Sequence, residues 1–152
     1  MESSEWNLNL RLMGHSDVDA VLKIQAASAE IAQWTAGDYE RLSATGMMAW
    51  VAELEGAVVG FLVARRVAND LEILNLAVRP DARRRGIGHA LIQFAFEWGK
   101  QFDAKSTFLE VRASNRTALR FYERHGFEER GHRPLYYSNP VEDALVLTAP
   151  IS

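Results

Sequence analysis

The pattern of apolar and polar positions along this chain predicts strands that alternate with helices. Runs dense in aliphatic residues, such as residues 72–78, are typical of buried strands, whereas apolar positions at helical spacing, as in residues 88–102, predict amphipathic helices. The predicted strands cover residues 8–13, 49–54, 58–66, 72–78, 107–111, 127–132 and 144–148, and the predicted helices cover 17–29, 88–102 and 115–125, with a broken helical region over 31–43. A turn at Glu55-Gly56, a cap at Ser16 or Asp17 and a helix stop at Gly126 complete the pattern. This order predicts an α/β fold with a mixed sheet.

The loop between the strand ending at Val78 and the helix beginning near Gly88 has the composition of an anion site. Pro80 ends the strand because it has no amide to donate to a sheet. Gly86 and Gly88 allow the backbone to turn sharply and a ligand to approach the N–H groups closely. Because the first amides of a helix lack internal partners and carry partial positive charge, we expect this loop to hold a pyrophosphate. A solvated turn with three adjacent arginines is the alternative.

Motifs along most of the chain resemble the GNAT superfamily of acetyl-CoA-dependent N-acetyltransferases. Residues 83–88 (RRRGIG) match its R/Q-x-x-G-x-G/A signature, and residues 76–78 resemble its cofactor-binding strand. Residues 109–115 (LEVRASN) and 118–127 (A-x-x-x-Y-x-x-x-G-F) are similar to the RimI branch, as are the paired tyrosines and the Glu-Asp-Ala within 133–144. That branch contains the ribosomal-protein-alanine N-acetyltransferases. The chain departs from it at His89, where a longer basic residue is common, and at Leu147, where methionine is frequent.

The resemblance implies a GNAT fold over residues 1–152 as a single domain. Such a fold has a mixed, mostly antiparallel central sheet flanked by about four helices, and two central strands splay apart to admit the pantetheine arm. Here those strands would end at Val78 and Arg112. Acetyl-CoA would be the co-substrate, and the residues expected to contact it are Leu76, Ala77, Val78, Arg83, Arg84, Arg85, Gly86, Ile87, Gly88, His89 and Asn115.

Acetyl transfer to an amine requires a base, an acid and an oxyanion donor. An α-amine has a pKa of about 7.7 to 8.0, so most of it is protonated at pH 7 and cannot attack. Glu110 occupies the position of the family's catalytic glutamate and would act as the base through a water molecule, the alternative being an ion pair with Arg112 on the same strand face. Tyr122 would protonate the departing thiolate, the alternative being an ordinary packing role. Backbone N–H groups of residues 76–78 would meet the oxyanion, and one good donor contributes about 3 kcal/mol.

Two further expectations concern Asn115 and the acceptor. Asn115 is placed to cap the following helix, a role that is compatible with contacting acetyl-CoA. The acceptor side is expected at Trp34, Tyr136 and Tyr137, with the carboxylates of residues 142 and 143 behind the tyrosines as an acidic wall for a positively charged peptide N-terminus. An exposed hairpin carrying a tyrosine pair is the alternative.

Composition narrows the function classes. The chain has 152 residues, 48% of them hydrophobic, which suits one sizeable core, and its net charge of −3 argues against nonspecific nucleic-acid binding. The absence of cysteine excludes disulfides, thiolate metal sites and a cysteinyl acyl-enzyme. The four histidines show no ligand spacing, so no metal is expected, and His125 is expected to favour a helix C-terminus. No run of about eighteen apolar residues and no signal peptide are present, so we expect a cytoplasmic protein that does not bind membranes.

The sequence therefore predicts an enzyme that transfers acetyl from acetyl-CoA to the N-terminal α-amine of a protein, by direct attack in a ternary complex. By resemblance, the acceptor would be the N-terminal alanine of a small-subunit ribosomal protein, and the enzyme would be a monomer or weak dimer with no direct nucleic-acid partner. Two alternatives stay open. One is the same chemistry on a lysine side chain or a small amine, and the other is a CoA-binding sensor without turnover.

Overall fold

The computed structural model describes residues 7–28 and 31–151, which form seven β-strands and four α-helices. The strands are β1 (Leu8–Leu12), β2 (Met47–Leu54), β3 (Ala57–Val67), β4 (Asp70–Val78), β5 (Ser106–Arg112), β6 (Glu128–Tyr137) and β7 (Glu142–Pro150). The helices are α1 (Val18–Ala26), α2 (Ala36–Glu40), α3 (Ile87–Gln101) and α4 (Arg116–Arg124), and short 3-10 turns cover His15–Asp17, Ser43–Thr45 and Pro80–Ala82.

The strands belong to a mixed sheet in the order β1-β2-β3-β4-β5-β7-β6. Strand β4 runs parallel to β5, whereas the pairs β1–β2, β2–β3, β5–β7 and β6–β7 are antiparallel. The predicted α/β class, with a mostly antiparallel sheet and about four helices, is confirmed. The chain forms two compact units, one made of the chain up to Arg65 with Asn75–Ala95, the other of Arg66–Leu74 with the chain from Phe96 onward. The single domain over residues 1–152 stays a prediction.

The first unit contains β1, β2, most of β3, the end of β4, helices α1 and α2, and the first part of α3. Strands β2 and β3 pair from Met47↔Arg65 to Leu54↔Ala57 and turn at Glu55-Gly56, where both residues have positive φ, so the predicted turn is confirmed. The largest fully buried side chains of this unit are aliphatic and aromatic: Val21, Val51, Val59, Phe61, Leu62, Val63, Leu91 and Ile92. This unit therefore holds the loop that follows Val78 on a well-packed base.

Asp17 takes the predicted position at the start of α1, but its side chain does not cap the helix. Its carboxylate instead accepts hydrogen bonds from the Arg11 guanidinium at 2.7 and 2.9 Å and from the Gly14 N–H at 2.7 Å. The Arg11 guanidinium is the main reason that the pKa of Asp17 lies below its usual value. The helix begins at Val18 and ends at Ala26, so the prediction was too long, and its predicted end at Ala29 lies outside the described residues.

The second unit contains the start of β4, strands β5, β7 and β6, and helix α4. Parallel pairing of β4 with β5 joins Leu71 to Thr107 and Glu72 to Phe108. Strand β7 pairs with β5 from Ser106↔Pro150 to Arg112↔Ala144 without interruption. Pairing of β6 with β7 is irregular between Glu129 and Gly131 and between Arg133 and Tyr137. As a result, the second half of β6 departs from a regular strand where the paired tyrosines lie.

Strand β6 continues to Tyr137, five residues past its predicted end. Eight of its ten residues are exposed, so it shows no alternation of buried and exposed positions. It lies at the edge of the sheet, and an edge strand tolerates Pro134 because one side of its backbone needs no partner. Because the burial of its residues does not alternate and because it contains Pro134, the sequence predicted a strand that ends before Tyr137.

Helix α4 begins and ends as the sequence indicates. The Asn115 Oδ1 accepts a hydrogen bond from the Ala118 N–H at 3.1 Å, and Gly126 follows the helix with φ +90. The His125 ring Nδ1 lies 2.8 Å from the Phe121 carbonyl oxygen, so the predicted role of His125 at the helix C-terminus is confirmed. Within the described part of the chain, no helix is long and apolar enough to cross a membrane.

Candidate active site

The predicted cofactor strand and loop lie in the first unit. Ala77 is buried and Val78 half-buried at the end of β4, and a left-handed backbone at Arg84 (φ +66) and Gly86 (φ +79) curves the loop before α3. The Ala90 N–H donates to the Gly86 carbonyl at 2.9 Å, which makes Gly86 the first acceptor of the helix. A Cβ on Gly86 would meet nothing within 4 Å, so this glycine is required by its conformation and not by crowding. The loop leaves its backbone open to a ligand.

The arginines of this loop differ in what they contact. Arg83 Nε donates to the Val78 carbonyl at 3.0 Å and its Nη2 donates to the Ser28 hydroxyl at 3.1 Å. Its guanidinium therefore holds the loop against the strand end. Arg84, Arg85 and His89 are exposed, whereas Ile87 is buried beneath them and Gly88 and Leu76 are half-buried.

A buried polar network in the first unit links β4 to the segment that carries Trp34. The Tyr39 hydroxyl donates to Gln25 Oε1 at 2.5 Å, and Asn75 Nδ2 donates to the Tyr39 hydroxyl at 3.4 Å and to the Ala32 carbonyl at 3.2 Å. Burial raises the pKa of Tyr39 to about 12. The Trp34 ring packs on Tyr39 with centroids 5.5 Å apart. Asn75 and Tyr39 were missed by the sequence reasoning, although a lone asparagine within an aliphatic strand was a usable signal.

Glu110 lies on β5 in the second unit, on the face opposite the buried residues of that strand. Burial alternates along β5, so Glu110 shares its face with Phe108 and Arg112. The Glu110 side chain is 17% exposed, and its Oε2 forms an ion pair with Arg133 Nε. The Tyr136 hydroxyl donates a hydrogen bond to the same carboxylate. The alternative partner Arg112 is wrong, because Arg112 pairs with Glu142 at 3.3 Å.

Tyr136 and Tyr137 lie near this carboxylate, and Tyr122 lies near Tyr137 in the same unit. Tyr122 is 9% exposed and packs edge-on against Phe121 and Phe127, with centroids 5.2 and 5.3 Å away. Burial, and then the nearby Tyr137, raise the pKa of Tyr122 above its usual value. Burial, and then the charge of Glu110, raise the pKa of Tyr137 to about 12. These hydroxyls therefore keep their protons at neutral pH and act as donors.

The structure corrects the prediction of an acidic wall behind the tyrosines, because the carboxylates of residues 142 and 143 bind other partners. Glu142 accepts from the Ser114 N–H at 2.6 Å, and Asp143 accepts from the Leu135 N–H at 2.8 Å and pairs with His132 at 2.8 Å. One of these N–H groups follows β5 and the other lies in the irregular hairpin, and the two carboxylates supply the acceptors that they need. Charge near the Tyr136 hydroxyl comes instead from Glu110 and from Glu72, which is 8% exposed; both raise the Tyr136 pKa, and the hydrogen bond to Glu110 is the largest cause.

Asn115 is 7% exposed and uses its Oδ1 for the cap of α4. The paired tyrosines contact each other edge-on with centroids 5.0 Å apart, and Tyr136 is 49% exposed. The Arg112 guanidinium lies 4.5 Å from the Tyr137 ring centroid. Among the residues that the structure describes, no group of three or more histidine, aspartate or glutamate side chains could hold a metal ion.

The glycine-rich loop lies in the first unit and the Glu110 carboxylate in the second, and comparison with known proteins identifies the family. Residues 18–127 match the model of the acetyltransferase (GNAT) family, which shows that the chain belongs to this family. It is therefore an acetyltransferase.

Individual relatives agree with this assignment. The chain is 35% identical over 99 residues, 64% of this chain and 67% of the relative, to the ribosomal protein bS18-alanine N-acetyltransferase of Escherichia coli (strain K12). The crystal structure of the ribosomal-protein-S18-alanine N-acetyltransferase from Escherichia coli superposes with a TM-score of 0.82 at 27% identity, covering 95% of this chain and 94% of that one. Ard1 from Thermoplasma volcanium superposes with a TM-score of 0.84 at 28% identity, covering 95% and 98%. The chain is thus similar to enzymes of the RimI type.

Proposed function

We propose that this acetyltransferase moves the acetyl group of acetyl-CoA to the N-terminal α-amine of a protein. The observation that carries the proposal is the Glu110 carboxylate on β5, largely buried and hydrogen-bonded to Tyr136, at the motif position of the family's base. The names of two kinds of relatives support the acceptor, since one acts on an alanine of ribosomal protein bS18 and another, from Sulfolobus acidocaldarius, is an N-alpha-acetyltransferase at 28% identity over 158 residues. We infer an N-terminal alanine of a small-subunit ribosomal protein as the acceptor.

Acetyl-CoA is the inferred donor, and the loop before α3 fits its pyrophosphate. The loop is exposed, its glycine carries no side chain that would cover the backbone N–H groups, and its residues Arg84 and Arg85 are exposed. The start of a helix adds partial positive charge, which favours a phosphate. The backbone of residues 76–78 would hold the thioester end, and Asn115 is a further residue inferred to contact acetyl-CoA. Arg83 would serve by holding the loop shape.

The proposed chemistry is one direct transfer. The neutral amine attacks the thioester carbonyl carbon, a C–N bond forms, and the C–S bond then breaks. Glu110 takes the proton that the amine nitrogen loses, through a water molecule, and Tyr122 gives its proton to the departing sulfur.

The test is thiol release from acetyl-CoA with short peptides that begin with alanine, serine or methionine, beside one with a blocked N-terminus and an internal lysine. The protein has no cysteine, so its own background is zero. We expect release confined to free N-termini, and a loss of about 100-fold in kcat for Glu110→Gln. Glu128→Gln, which removes the same charge from an exposed position on β6, is the matched control. Release with lysine or small amines only would overturn the acceptor, and tight acetyl-CoA binding without any release would favour the sensor.

A further inference from the structure

Arg133 reaches the candidate base from two strands away. Glu110 on β5 lies opposite Val146 of β7, and Val146 lies opposite Gly131 of β6, so the row that contains Glu110 ends at Gly131. Arg133 begins the neighbouring row, opposite Ala144. Two strand spacings amount to about 10 Å, which only a long side chain crosses.

Arg133 is also close to Tyr136, whose hydroxyl is hydrogen-bonded to Glu110. The charges of Glu110 and Glu72 raise the pKa of this hydroxyl, and the charge of Arg133 lowers it, so all three groups act at one point. The Arg133 guanidinium also lies 5.6 Å from the Tyr136 ring centroid. A carboxylate that is largely withdrawn from water is held in one orientation by a counter-charge and hydrogen bonds. Arg133 and Tyr136 together supply both to Glu110.

We propose that Arg133 is a positioning residue for acetyl transfer, which holds Glu110 by its Oε2 atom so that the other carboxylate oxygen is presented to the water molecule that relays the proton of the amine. The inference rests on the proposed function, since it assigns a role in presenting the base. The proposed proton transfer needs the Glu110 carboxylate in one orientation. A freely rotating glutamate side chain would spend much of its time in other orientations. Reactions lose about 100-fold when a reacting group is misplaced by about 1 Å.

The ion pair is placed to affect turnover more than folding. The Arg133 side chain is 58% exposed, and ion pairs with an exposed partner add little to the free energy of unfolding. A purely structural role would therefore show as a fall in the unfolding temperature together with the rate. A positioning role shows as a fall in kcat alone.

The experiment compares Arg133→Ala, Arg133→Lys and Arg130→Ala in the thiol-release assay with an alanine peptide. Arg130 is the matched control, because it lies on the same strand and pairs with Glu128 at 3.2 Å, away from Glu110. For Arg133→Ala we expect kcat to fall by about 10- to 100-fold, with the KM for acetyl-CoA within about twofold of the wild-type value. Lysine should restore part of kcat because it returns the charge without the forked geometry, and added guanidinium should raise the rate of Arg133→Ala alone. Arg130→Ala should match the wild type.

Several results would overturn the inference. A wild-type or faster rate for Arg133→Ala would mean that the arginine does not position the base or holds it back. A slow Arg133→Ala enzyme that also unfolds at a lower temperature and is not restored by lysine or guanidinium would show a structural role. A wild-type protein that releases no thiol with any peptide would instead overturn the proposed function, and this inference with it.

Discussion

Asn115 serves two predicted roles, and two substitutions separate them. Its Oδ1 caps α4 by accepting from the Ala118 N–H at 3.1 Å, and the side chain is 7% exposed. Asn115→Ala removes the acceptor and leaves a partly buried N–H without a partner, which we expect to lower the free energy of unfolding by about 1.5 kcal/mol. In a protein of this size that corresponds to a fall in the unfolding temperature of about 4 °C. Asn115→Asp keeps the acceptor, and a negative charge at a helix N-terminus is favourable.

The cofactor role depends on the other end of the same side chain. Asn115→Asp replaces the Nδ2 donor by a charged oxygen, so a hydrogen bond to acetyl-CoA would be lost and replaced by repulsion. One lost hydrogen bond of about 1.4 kcal/mol raises the KM for acetyl-CoA about tenfold, while the unfolding temperature stays within about 1 °C of the wild-type value. Thermal unfolding and thiol-release kinetics measure the two effects separately. Asn69→Asp, which adds the same charge at an exposed turn, should change neither.

Two different results would contradict these expectations. If aspartate destabilises the protein as much as alanine does, the Oδ1 cap does not contribute what the geometry implies. If aspartate leaves the KM for acetyl-CoA unchanged, Asn115 is a cap alone and the contact with the donor is wrong.

Two further predictions concern the first unit. Asp17→Asn should lower the free energy of unfolding by about 2 kcal/mol at pH 7, because it breaks charged hydrogen bonds to Arg11 and Gly14. Folding lowers the pKa of Asp17, so the stabilisation by its carboxylate is complete above the unfolded pKa of about 3.9 and is lost as the pH falls further. The free energies of unfolding of wild type and variant, measured with urea, should therefore converge in acid. A difference that does not change with pH would contradict this. Tyr39→Phe removes the hydroxyl that donates to Gln25 and accepts from Asn75, and thermal unfolding should report a loss of about 1 to 2 kcal/mol; an unchanged midpoint would show that the network adds no stability.

Elements with local signals could be predicted from the sequence, and those set by distant contacts could not. The turn at Glu55-Gly56, the cap at Asn115 and the stop at Gly126 each depend on residues within one turn of the chain, and each was predicted. Asp17 could not be assigned from the sequence alone, because an aspartate at a helix start is equally suited to cap the helix or to form an ion pair. Its carboxylate is bound by Arg11 on β1, and that contact depends on how the strand precedes the helix in space.

In the candidate site, too, some features could be predicted from local signals and others depend on distant contacts. Alternation along β5 correctly places Glu110 and Arg112 on one face, and from the sequence alone Arg112 is the reasonable partner. The sheet order decides otherwise, because β7 lies between β5 and β6 and brings the rows of β6 within reach of β5. The candidate base is identified by its motif, whereas its partner follows from strand order and register, which no periodicity along the chain encodes.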